Sequence, residues 1–147
     1  MILGYKMYWP WGGFTNFAKK ILLGTKKHSL RIDENNRWRA GMKIQHAHGV
    51  RTKRYMMFLK GECKSTQQIK IERHDGILND DYYVYRVVIK GIQFVMGFKV
   101  TVDDKVLIRE TVDLLAANDG FDSTIDFFDW FWDGFEGKII HFTDLKY

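Results

Sequence analysis

With 147 residues, 46% of them hydrophobic and 16% aromatic, the chain has enough apolar surface for one packed core and too much for a disordered segment. Its lone cysteine, Cys63, excludes a disulfide framework or a cysteine-based metal cluster, and no apolar run approaches a membrane span. The formal charge of +5 hides a division: residues 1–60 hold thirteen lysines and arginines against two acids, leaving +11, and residues 61–147 hold ten against sixteen, leaving −6. A basic half of this kind is the electrostatic footprint of a polyanionic partner, nucleic acid before others.

The start Met1–Lys6 has no basic region followed by a long apolar one, so a cytoplasmic setting without membrane contact is expected. A single proline, Pro10, and the lack of any Ser/Gly-rich linker predict one domain over residues 1–147. Tyr5–Trp9 reads as a first strand, closed by the turn-prone Pro10-Trp11-Gly12-Gly13. A helix is predicted near residues 14–23: Thr15 can cap it, Phe14, Phe17 and Ile21 recur at helical spacing, and Gly24 stops it. His28, Leu30 and Ile32 then alternate with Lys27, Ser29 and Arg31, which places Ser29 and Arg31 on the face away from the apolar side. Further strands are predicted at Met42–Ala47, Arg54–Leu59, Gln67–Arg73, Tyr82–Lys90, Ile92–Val102 and Lys105–Ile108, with a loop at Asp75-Gly76. In the longest of these, Ile92, Phe94, Met96, Phe98, Val100 and Val102 share one face. Asp122 or Ser123 can cap a second helix near residues 122–132, and Lys138–Phe142 makes a last strand. The expected fold class is α+β: a small, strongly curved mixed β-barrel with these two main helices.

The segment Gly24–Arg31 collects cationic donors and a hydroxyl where a helix gives way to a strand. A serine needs a base to become a nucleophile, and a lysine serves once its pKa is lowered. Strand parity puts Lys27, not Lys26, on the Ser29 face, so Lys26 can act only from the turn before the strand. The same residues also make sense as a solvated basic edge or as phosphate clamps. Arg37-Trp38-Arg39 and Arg51-x-Lys53-Arg54-Tyr55 interleave cations with rings, a pattern suited to phosphates and unpaired bases. Trp9 and Trp11 could form a stacking lip for a base or simply pack. His28 reads as a core histidine, and the acids from Asp122 to Asp133 as a solvated helix face. His46 and His48 share a strand face without a third ligand at a suitable spacing, so neither metal nor cofactor is expected.

Three features together resemble an ASCH domain. They are Gly24-x-Lys26-x-x-Ser29-x-Arg31 after a helix, Gly41 before a strand, and Asp119-Gly120-Phe121-Asp122-Ser123 opening a helix. Serine stands at position 29 where that family usually has threonine. The resemblance implies a PUA-like β-barrel that binds RNA or a nucleotide in a basic cleft. Lys27, Arg31, Arg37, Arg39, Arg51 and Lys53 would then contact the nucleic acid. It also implies an alternative, an amidohydrolase that removes the acetyl group of N4-acetylcytidine, with Lys26, Ser29 and Asp119 in the places of the catalytic lysine, threonine and glutamate. The partner is accordingly RNA or a modified nucleoside.

Overall fold

The computed structural model describes residues 1–75 and 79–147; the loop expected at Asp75-Gly76 runs out of this range. In chain order the elements are β1 (Ile2–Tyr5), α1 (Phe17–Leu22), β2 (His28–Arg31), β3 (Lys43–His48), β4 (Met56–Glu62) and β5 (Ser65–His74). There follow β6 (Tyr83–Ile89), β7 (Ile92–Val102), β8 (Lys105–Val106), α2 (Arg109–Asn118), α3 (Thr124–Trp130) and β9 (Phe135–His141).

The strands form two sheets. One has the order β1-β3-β4, with β1 parallel to β3 and β4 antiparallel to it. The other is antiparallel, with the order β2-β9-β5-β7-β6 and β8 attached to β7. The expected α+β barrel is therefore corrected: the described residues are mostly sheet with three short helices, and neither sheet closes on itself. The break has a physical origin at two corners. Between β4 and β5 the chain changes sheets at Cys63-Lys64: the Cys63 amide donates to Met42 O (2.8 Å) in one direction, and the Lys64 amide to His141 O (2.9 Å) in the other. At the second corner β1 and β2 lie near each other but share no ladder. The Arg31 guanidinium crosses that seam and donates to Gly4 O.

The helices depart from expectation for local reasons. Thr15 directs its hydroxyl to Lys6 O (2.7 Å), Asn16 takes a left-handed conformation (φ 56°), and α1 begins only at Phe17. Ser123 does cap α3, its Oγ accepting from the Asp126 amide at 3.0 Å. Helix α2 was not foreseen. It buries only Val112, Leu115 and Ala116, and Ile108 at its N-cap supplies no side-chain hydrogen bond, so neither stripe nor cap announces it. Strand β7 occupies the predicted range, but its face is divided: Met96, Phe98, Val100 and Val102 are buried, whereas Ile92 and Phe94 are exposed on a hairpin that outruns the core. The core centres on Phe98, Phe127, Phe128, Ile139 and Ile140, all fully buried, with the Phe98 and Phe128 rings stacked at 4.3 Å. Truncating such a ring to alanine costs about 3–5 kcal/mol.

Candidate active site

The seam between β1 and β2, left without a ladder, holds a cavity of about 180 Å³. Two segments far apart in sequence build its floor. Gly24, at φ 78°, ends the α1 turn, and the following residues run without regular structure to β2, so Lys26 sits just before the strand. Helix α2 ends opposite it and delivers Asp119. Backbone and side chains fasten the two segments: the Lys27 amide donates to Asn118 O (2.7 Å), and Lys20 Nζ donates to Gly120 O and Asp122 Oδ1, both at 2.7 Å. Gly120 has φ 91°, and a Cβ there would come within 3.0 Å of Lys26 Cδ and 3.1 Å of the Phe17 ring. The Gly-Phe step is thus required by close approach to the lysine.

Lys26 and Asp119 are each 3% exposed and form an ion pair, Nζ to Oδ1 at 2.9 Å; the same ammonium also donates to Asp119 O. A carboxylate at a helix C-terminus opposes the helix dipole, and the lysine offsets that cost. Burial lowers the Lys26 pKa to about 8, although Asp119 pulls the other way. Burial alone would raise the Asp119 carboxyl, but the Lys26 charge and then His28 outweigh it and hold it below the usual carboxylate range. The lysine therefore has an appreciable neutral fraction near neutral pH, while the aspartate stays ionised.

Ser29, 2% exposed on β2, lines the same cavity with Leu30 and Arg31, and its hydroxyl has no hydrogen-bond partner among the described residues. Tyr5, Phe17, Phe121 and Trp130 supply aromatic walls. Lys26 Nζ lies 4.7 Å from the Phe17 ring centroid and 5.8 Å from that of Tyr5, whose hydroxyl bonds His46 Nδ1 at 2.8 Å. Behind Asp119 a buried chain continues. His28 Nδ1 stands 3.4 Å from Asp119 Oδ1, outside good hydrogen-bond geometry, and its Nε2 bonds the Tyr147 hydroxyl at 2.8 Å. Asn118 Nδ2 donates to that hydroxyl at 3.1 Å. Burial holds the His28 imidazole below its ordinary pKa, so it is neutral in this chain.

Lys26, Ser29, Arg31 and Asp119 thus come together, and the other sequence candidates do not. Lys27 is half-buried and does not line the cavity. Arg37 and Arg39 are exposed beyond the Lys43 end of β3, whereas Arg51 and Lys53 are exposed beyond its His48 end. The length of β3, roughly 17 Å, separates the two groups. Trp9 is buried against Phe17, Phe121 and Trp130, so it packs; Trp11 stacks on it at 5.3 Å and keeps 47% of its surface exposed. Sequence reading missed Tyr5, Trp130 and Tyr147. Only the alternation of Leu3 with Tyr5 hinted at the first, and the last two reach the site through folding alone.

The chain matches no protein-family model, and no curated protein or solved structure matches it either.

Proposed function

We propose that the protein hydrolyses an N-acylated cytosine nucleoside, with N4-acetylcytidine as the type substrate, in the cavity between β1 and β2. The observation that carries this reading is one convergence: a buried lysine of lowered pKa, held by Asp119, in the same small cavity as an unpartnered serine hydroxyl. About 180 Å³ is below the roughly 300–1,000 Å³ of pockets for drug-sized ligands, and the ring-lined walls suit one base with a small acyl group. The similarity of Gly24–Arg31 and Asp119–Ser123 to the ASCH pattern supports the same chemistry, although the two separate sheets depart from that family's barrel.

In this mechanism neutral Lys26 takes the proton of Ser29 Oγ as the oxygen attacks the acyl carbonyl. Collapse of the tetrahedral adduct breaks the C–N bond, and the Lys26 ammonium returns that proton to the leaving N4. Water then cleaves the acyl-serine, with Lys26 again as base. Asp119, being ionised, donates no proton; it positions Lys26 and stabilises its ammonium state. Arg31 lines the cavity, spends N–H groups on Gly4 O and Leu30 O, and retains others for the developing oxyanion. The test is release of cytidine by wild type and by Ser29→Ala. The variant should lose at least about a thousandfold in kcat while keeping its melting temperature; retained turnover would exclude Ser29 as nucleophile.

A second reading, RNA binding, is favoured by the exposed Arg51, Lys53 and Arg54 on the turn that follows β3. It predicts affinity that falls steeply with salt and no turnover by the wild type.

A further inference from the structure

A second cavity, of about 210 Å³, adjoins the first and shares Tyr5, Lys6 and Phe17 with it. Its chemistry is different. No carboxylate lines it, and Lys6 and Lys19 do. Neither lysine pairs with a carboxylate among the described residues. His48 lies in the same wall, stacked on Phe58 at 6.1 Å and 22°. Its Nδ1 is buried with no hydrogen-bond partner among the described residues. Two lysines without carboxylate partners, with His48 in the same wall, give this cavity the donors that an oxyanion ligand takes. The turn carrying Arg51, Lys53 and Arg54 leaves β3 directly after His48 and adds positive potential at this end.

We infer that this second cavity is a phosphate subsite. It holds a phosphate ester carried on the ribose of the base bound in the first cavity. The inference rests on reading the first cavity as a cytosine-nucleoside site, and it narrows the substrate class from nucleoside to nucleotide. Tyr5 and Phe17 line both cavities, so a base in one and its phosphate in the other would be joined across these side chains. Lys6 serves both sides: its Nζ lies 5.3 Å from the Trp130 ring centroid, in the first cavity's wall. A free nucleotide and one residue of an RNA chain present the same ribose phosphate, and that shared group is what the subsite takes.

The test is calorimetric titration of the full chain at low salt with cytidine, cytidine 5′-monophosphate and a short oligocytidylate. The monophosphate should bind at least about tenfold more tightly than cytidine. That gain should shrink with salt and disappear in Lys19→Ala and His48→Gln, while Lys70→Ala on the other sheet keeps it. An oligonucleotide no tighter than the monophosphate identifies the free nucleotide as the source; a further gain identifies RNA. Equal affinity for cytidine and its monophosphate, or a gain that survives both cavity variants, overturns the subsite and leaves the nucleoside reading standing. Binding of none of the three, together with no turnover of N4-acetylcytidine, overturns both.

Discussion

Among the described residues stand two buried lysine–aspartate pairs, and their surroundings set them apart. Lys138 on β9 meets Asp33, in the loop after β2, at 3.1 Å, and Lys26 meets Asp119 at 2.9 Å; the two lysines are 5% and 3% exposed. Around the first pair the polar groups are saturated. Lys138 Nζ also donates to Trp38 O (3.1 Å) and Asn36 Oδ1, while Asp33 accepts from the amides of Arg37 (2.8 Å) and Trp38 (3.0 Å). That pair ties down the loop from Asp33 to Trp38 and has nothing left for a ligand. The second pair lines a cavity together with a serine without a partner, and contains a lysine close to losing its proton at physiological pH. Asp33 also borders a cavity, so neither burial nor adjoining space separates the pairs; the unspent nucleophile and the lowered lysine pKa do.

Substitutions at the two lysines separate the pairs most strongly. Lys138→Met and Lys26→Met each strand a buried carboxylate, and each should cost about 3–5 kcal/mol in urea unfolding. The Lys138 variant should keep its turnover per folded molecule and the Lys26 variant should have none; equal losses would erase the distinction. Acid should act through the buried imidazoles. Burial lowers His46 and His141 to about 4, so between pH 6.5 and 4 the unfolded chain binds protons there that the folded chain does not. The contribution of these two histidines is complete above pH 6.5 and is lost as the pH drops toward 4, by at most about 3 kcal/mol for each, as urea titrations across that window will show.

Activity should follow Lys26. With its pKa at about 8, the base is neutral above that value, so kcat/KM should climb about tenfold per unit below it and level off above it. A profile flat from pH 6 to 9 would remove the lysine from the role of base. Tyr147→Phe leaves His28 Nε2 without its hydroxyl and should cost about 1–3 kcal/mol in urea unfolding, with little change in turnover because His28 makes no hydrogen bond to Asp119. Arg37→Ala, exposed and far from the cavity, should stay within about 0.5 kcal/mol of wild type and leave turnover unchanged.

Much of the strand order could be read in the chain because alternation is local: β7 was delimited to the residue, and Ser29 and Arg31 share the cavity side as their parity implies. The closure of the sheets could not. Whether β1 and β2 form a ladder depends on where the chain turns at Cys63-Lys64 and on Arg31 reaching Gly4, and neither leaves a periodic trace. Helix α2 escaped notice for want of a cap and a wide apolar stripe, and it is the element that delivers Asp119. The pairing of Lys26 with Asp119, 93 residues apart, could be supposed only from resemblance. The basic half likewise held no sign that β3 would part Arg37 and Arg39 from Arg51 and Lys53.

Attack of Ser29 on the acyl group, with Lys26 as its base, leaves an acetyl group on the serine. Rapid acid quench of wild-type protein mixed with N4-acetylcytidine, followed by peptide mass mapping, should find one acetyl group on the peptide that contains Ser29, accumulating before steady state and missing in Ser29→Ala and Lys26→Met. Cytidine released at full rate with that peptide unmodified, and still released by Ser29→Ala, would contradict it.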